Sequence, residues 1–233
     1  MKKLPIILSV LIGCFTQSSF AANIDITKLG SVQTDFKNFS EDMGSALSYK
    51  AVTPAEPLGI TGFDIGIEAT STDTKSLAKV TGTSDTTLII PKLHIHKGLP
   101  FGIDFGASYS SVENIKLVGA ELRYAILEGG VAMPAIALRG AMSKLSGVDQ
   151  LAFSTRSLDV SISKGFAMIT PYAGVGTVWV DSAPDIVGLT KESFQQAKTF
   201  AGANLNLGLT NIAVEWDKTG AATSTSVKLG LRF

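Results

Sequence analysis

An all-β chain closing into an antiparallel transmembrane β-barrel of about ten strands (eight or twelve also fit), preceded by an N-terminal amphipathic helix, is predicted by three observations. Period-two alternation runs through most of the sequence, charge is sorted onto one side of it, and no stretch after the N-terminus is apolar over the ~18 residues a helical span needs. The composition agrees: of 233 residues, 45% are hydrophobic and only 17% charged, and mean hydropathy is positive. That argues against disorder. Lys+Arg and Asp+Glu cancel at 20 each, so no global field recruits polyanions, and nucleic acid is excluded as a partner.

Residues 1–21 read as a secretory signal peptide. Lys2 and Lys3 precede an apolar core from Leu4 to Phe15, and Ser19-Phe20-Ala21 offers a small-x-small cleavage site. The run is too short to span a bilayer as a helix. Leu11-Ile12-Gly13-Cys14 also resembles the lipobox of bacterial lipoproteins, but the downstream cleavage site is favoured. Cys14 is the single cysteine, so no disulfide framework and no thiolate metal site is expected.

Residues 22–58 form the segment before the barrel. Leu29, Val32, Phe36, Phe39, Met43 and Leu47 recur at spacings of three or four, with Asp35, Lys37, Asn38, Glu41 and Asp42 between them, predicting an amphipathic helix over 28–47. Pro54 and Pro57 separate it from the first strand. Such a helix could plug the lumen, lie on the membrane surface, or dock on a periplasmic partner. The plug is favoured, because a six-residue apolar stripe needs cover and a ten-stranded barrel is wider than side chains alone fill. The charged wall is the objection.

Residues 59–233 carry the barrel. Phe63, Ile65, Ile67 and Ala69 alternate with Asp64, Gly66 and Glu68; Phe101, Ile103, Phe105, Ala107 and Tyr109 with Gly102, Asp104, Gly106 and Ser108. Ten strands are predicted near 60–70, 87–96, 101–110, 115–126, 134–144, 154–163, 170–180, 201–210, 211–217 and 223–233. Parity blurs around Arg156 and Tyr172, which suggests a bulge in the sixth or seventh strand. Links alternate between short and longer, more polar stretches, as expected of periplasmic turns and external loops, and an even strand number places both termini in the periplasm. The long link 181–200 includes Thr190 to Lys198, which has helix-forming composition.

Charge decides which face meets lipid. The outward faces from Phe63 to Phe233 are expected to be free of Asp, Glu, Lys and Arg. The inward faces carry Asp64, Glu68, Lys92, His94, His96, Asp104, Glu121, Arg123, Arg139, Asp159, Glu215, Asp217, Lys228 and Arg232 as lumen-lining candidates. A basic side chain facing the bilayer midplane of a barrel costs ~2–4 kcal/mol, so this sorting is what a lipid exterior demands. A soluble sandwich shows the same alternation inverted. Against it stand aromatics at strand ends (Tyr109, Trp179, Trp216; Phe63, Phe101, Tyr124, Phe233) and a glycine-rich polar face.

Val227, Leu229, Leu231 and a terminal Phe233 alternate at the C-terminus. This run resembles the C-terminal assembly signature of Gram-negative outer-membrane β-barrel proteins. The resemblance implies residence in the outer membrane, contact with its lipid and lipopolysaccharide, and recognition by periplasmic chaperones and the barrel-assembly machinery. It transfers no active site.

Chemistry is sparse. His94 and His96, the only histidines, share one strand face. They could ligate a metal or move protons, with Asp104 as a neighbour, but polar wall positions are the better reading. No cofactor is expected and no residue reads as catalytic. The expected function is a narrow or helix-plugged conduit or binding barrel for small molecules, or a structural envelope protein. The alternatives are an outer-membrane enzyme acting on lipid or lipopolysaccharide, and a surface adhesin presenting 71–86 and 181–200.

Overall fold

The computed structural model describes residues 26–76, 86–112 and 114–233. The signal segment with Cys14, part of the 71–86 link and Glu113 lie outside the described residues. Ten antiparallel strands close on themselves in sequence order, β10 pairing with β1. They are β1 Phe63–Asp73, β2 Thr87–Gly98, β3 Ile103–Val112, β4 Ile115–Leu127, β5 Ala135–Ser146, β6 Leu151–Ser163, β7 Ile169–Pro184, β8 Glu192–Leu207, β9 Thr210–Thr219 and β10 Ala222–Arg232. Closure leaves no edge, so every strand's backbone is satisfied by a neighbour, the condition for crossing lipid with strands. At the seam, Asp64 registers with Arg232 and Ile67 with Leu229, and the Phe63 and Phe233 backbones bond to each other in both directions. The two rings stack, centroids 5.6 Å apart.

The alternation of the sequence becomes inside and outside. Phe105, Val118, Leu122, Leu158, Val160, Val214, Val227 and Leu231 are exposed around the outer surface, while their neighbours Asp104, Glu121, Asp159, Glu215 and Lys228 are buried. This apolar band around a charged interior is the exterior of a membrane barrel. Tyr109, Trp179 and Trp216 stand outward toward one end, Tyr124 and Phe233 toward the other. Gly102, placed by the alternation on the inward face, instead occupies a turn with φ of 68°, as does Gly208 with φ of 73°, where a side chain would be strained.

Four features differ from the sequence-based expectation. First, Thr190–Lys198 is not helical: β8 begins at Glu192 and pairs with β7 from Ser182 onward. A continuous backbone ladder over two 16-residue strands outweighs a weak local helical preference. Second, the register shift falls in β4 between Ala125 and Leu127, against β5, rather than in β6 or β7. Third, the outward faces are not wholly uncharged: Lys116, Lys144, Arg156 and Lys218, with Asp73 and Asp181, point outward toward the strand ends opposite Phe233, and Lys97, in register with Phe63, points outward at the Phe233 end. Fourth, the described residues before β1 start at the end of the barrel opposite the one at which the chain finishes, whereas the sequence placed both at one end. Gln33 donates to the Thr190 carbonyl and meets Glu192 at the β7–β8 end, whereas Phe233 sits at the opposite end. Strand parity fixes only where β1 starts; the segment before it runs back through the barrel.

That segment consists of a 3-10 turn, Ile26–Leu29, the helix α1, Gln33–Leu47, and an extended strap over residues 48–58. α1 lies inside the wall, touching β1 and β5 to β10. Phe36, Phe39, Met43 and Leu47 form its buried stripe; Leu29 is buried on the preceding turn, and Val32, at the helix start, is exposed. No side chain caps the helix N-terminus; Ser48 ends the helix in an extended conformation, its hydroxyl donating to the Ser45 carbonyl at 2.9 Å.

Candidate functional site

Among the described residues, titratable side chains gather in the lumen, which is stratified along the barrel axis. Toward the end where α1 enters, the inward positions are apolar: Leu88, Ile90, Leu117, Leu145, Leu151, Phe153, Val178 and Val180 pack with Phe36, Phe39, Met43 and Leu47 into one buried cluster. This resolves the objection that an apolar stripe mismatches a charged wall. Burying each large side chain is worth about 1.5–3 kcal/mol. Gly44 lets the helix approach closely, since a Cβ there would lie 2.7 Å from a Val180 methyl carbon. The spaces left beside Leu47 amount to about 10 Å³ each, room for a water at most. Polar groups at the helix surface also reach the barrel: Ser40 bonds Ser182 at 2.8 Å, the Asp42 carboxylate accepts from the Ser76 amide at 2.7 Å, and Gln196 donates to the Glu41 carbonyl at 3.2 Å.

Below the cluster the wall becomes ionic, and twelve of the fourteen predicted inward residues fall into four groups; Asp217 pairs with the strap, and Glu215 is buried with no ion pair among the described residues. Glu68 contacts Lys92 at 3.1 Å and His94 at 2.6 Å, and accepts from Thr70. Glu121 faces His96 at 3.4 Å and Arg139 at 3.7 Å, and Arg139 also pairs with Asp159 at 2.8 Å. Arg123 holds Asp104 at 2.6 Å. Asp64 holds Lys228 at 3.0 Å and Arg232 at 2.8 Å near the C-terminal end, with Arg232 the least enclosed of the set. A buried charge without a partner is costly, and most of these charges meet an opposite charge from a nearby strand.

The two histidines stack with centroids 5.7 Å apart, yet each faces a different carboxylate. They do not converge on a common ligand point, and Asp104 is engaged by Arg123 instead. Among the described residues no group of three or more His, Cys, Asp or Glu could hold a metal ion.

The strap supplies groups that the sequence reading left out. Lys50 pairs with Asp217 at 2.7 Å, both side chains fully buried. The Tyr49 hydroxyl lies 3.4 Å from His96 Nε2, and the Tyr49 carbonyl accepts from Lys198 at 3.4 Å. Arg123 donates to Thr53 and to the Pro54 carbonyl, the Ala55 and Glu56 amides to Ser163, and the Leu58 amide to Asp104. The wall's ion pairs thus also serve as anchor points for extended backbone, which must find partners once it is buried. The apolar layer was legible by parity, since Leu88 and Ile90 share a face with Lys92 and His94. Lys50 carried no sequence signal, because its carboxylate partner lies 167 residues away.

The closed barrel, its apolar exterior band and its ion-paired interior establish an outer-membrane β-barrel fold and location. No family model matches the chain, and no curated protein matches it. Among solved structures it resembles an outer-membrane channel from Pseudomonas putida F1 (11% identity over 74% of this chain and 96% of that one, TM-score 0.44). It also resembles the KdgM porin (11% identity, 73% and 99%, TM-score 0.42) and the translocator domain of the autotransporter NalP from Neisseria meningitidis (9% identity, 91% and 99%, TM-score 0.41). These likenesses are of barrel architecture alone.

Proposed function

We propose that this protein is a conduit of the outer membrane held shut by its own N-terminal segment, for small molecules that pass when α1 and the strap shift within the wall. One observation carries this reading: a helix and an eleven-residue strap occupy the full lumen, from the Gln33–Thr190 contact at one end to the Leu58–Asp104 contact at the other. The occluding segment is held in two different ways, by apolar packing at one level and ion pairs at another. Purified full-length protein in planar bilayers tests the reading. The wild type is expected to show no steady conductance. A variant with the contacts loosened (Phe36→Ala, Phe39→Ala, Lys50→Met), checked for folding by heat-modifiable gel migration, is expected to open in bursts. Steady conductance in the wild type, or silence from the folded variant, would overturn it.

A further inference from the structure

Three of the outward basic side chains lie together on one face of the barrel. Lys116 on β4, Lys144 on β5 and Arg156 on β6 point away from the lumen on three consecutive strands. In the register Val118 faces Lys144 and Lys116 faces Ser146, while Met142 faces Arg156 and Lys144 faces Ser154. Each basic residue is therefore the diagonal neighbour of the next, a separation of roughly 7–8 Å that long side chains easily bridge. The outward positions of β4, β5 and β6 carry no acid. Asp181 on β7 is the nearest outward acid in register, 3.2 Å from Arg156, and it is also claimed by Lys191 at 2.8 Å. Arg156 and Lys191 thus share that carboxylate, Lys116 and Lys144 make no ion pair among the described residues, and Asp149 is exposed in the β5–β6 link at the same end.

The depth of the cluster identifies its partner. Trp179 registers directly with Arg156, and its ring stands outward beside it, with Met142 and Val118 on the adjoining apolar surface. Outward tryptophan marks the level at which hydrocarbon gives way to headgroups. The cluster lies toward the end opposite Phe233, where the longest link, residues 74–86, and the far ends of the 16-residue strands β7 and β8 also lie. Longer connections belong to the outer face of such barrels. Basic side chains fixed at that level meet anionic lipid headgroups, and Arg and Lys bind phosphate by charge-assisted hydrogen bonds.

We propose that Lys116, Lys144 and Arg156 form a binding site for the phosphates of outer-leaflet lipopolysaccharide, seated on the β4–β6 face. The site is independent of the lumen, so it stands or falls apart from the plugged-conduit reading.

The test uses folded full-length protein in mild detergent, with bisphosphorylated deep-rough lipopolysaccharide as probe and co-elution on gel filtration as readout. Replacing all three residues (Lys116→Gln, Lys144→Gln, Arg156→Gln) is expected to reduce retained lipid at least tenfold. Any one replacement should lower it roughly fivefold, the equivalent of one basic contact to an anionic surface. Lys164→Gln, at the opposite end, should leave retention unchanged. Dephosphorylated lipopolysaccharide should compete poorly. Undiminished retention by the folded triple variant, equal competition by the dephosphorylated lipid, or displacement by millimolar inorganic phosphate alone would overturn the proposal. Silent wild-type bilayer recordings would be unaffected by the triple replacement, which separates this result from a failure of the plug.

Discussion

The Lys50 ammonium lies 2.7 Å from the Asp217 carboxylate, and neither side chain is exposed to solvent. One partner belongs to the strap and the other to β9, so this contact ties the occluding segment to the wall. Breaking such a pair from one side leaves a buried, uncompensated charge, at a cost of about 3–5 kcal/mol. Lys50→Met is therefore expected to loosen the strap and produce transient conductance bursts. The double variant Lys50→Met with Asp217→Leu, which removes both charges, is expected to return the recordings to silence. A double-mutant cycle read by burst frequency checks this.

Phe39 makes the complementary test in the apolar layer. It is fully buried, and it borders the small space shared with Met43, Leu47, Leu145 and Leu151. Phe39→Ala should weaken the seating of α1 by about 3–5 kcal/mol. Because the strands' own pairing is untouched, the barrel should still migrate as a folded species before boiling, while hydrogen exchange of the α1 amides accelerates markedly.

The exterior band predicts a positional contrast. Val160, midway along β6, is outward and half exposed, whereas Val187 is fully exposed in the β7–β8 link. Val160→Arg places a cation against hydrocarbon at ~2–4 kcal/mol, and Val187→Arg places it in water. The first variant should be depleted from the membrane fraction, and the second should assemble like the wild type.

The course of α1 predicts which end of the segment is accessible. Ser31 is exposed beside Gly188, at the end of the barrel opposite Phe233. A Ser31→Cys variant should react with a membrane-impermeant maleimide on intact cells, as should Val187→Cys. Val131→Cys, in the turn between β4 and β5 at the Phe233 end, should react only after the outer membrane is permeabilised. Protection of Ser31→Cys on intact cells would reverse the assigned course of the segment.

What the sequence determined was what repeats locally. Period two set the strands, their inward and outward faces and their approximate number. The C-terminal alternation of Val227, Leu229, Leu231 and Phe233 pointed to the membrane. The spacing of Phe36, Phe39, Met43 and Leu47 required a helix with one apolar side. These are decided by neighbours within a few residues, where side-chain direction follows directly from backbone period.

What only the tertiary structure decided was everything that depends on closure. Whether α1 lies in the lumen, which way it runs, that Lys50 finds Asp217, and that Lys116, Lys144 and Arg156 become neighbours all follow from strand register and tilt around the barrel. Thr190–Lys198 shows the same limit from the other side: its local preference was helical, and the edge offered by β7 made it a strand. Contacts between residues far apart in the chain are selected by the free energy of burying and pairing them together, and no short window of sequence contains both partners.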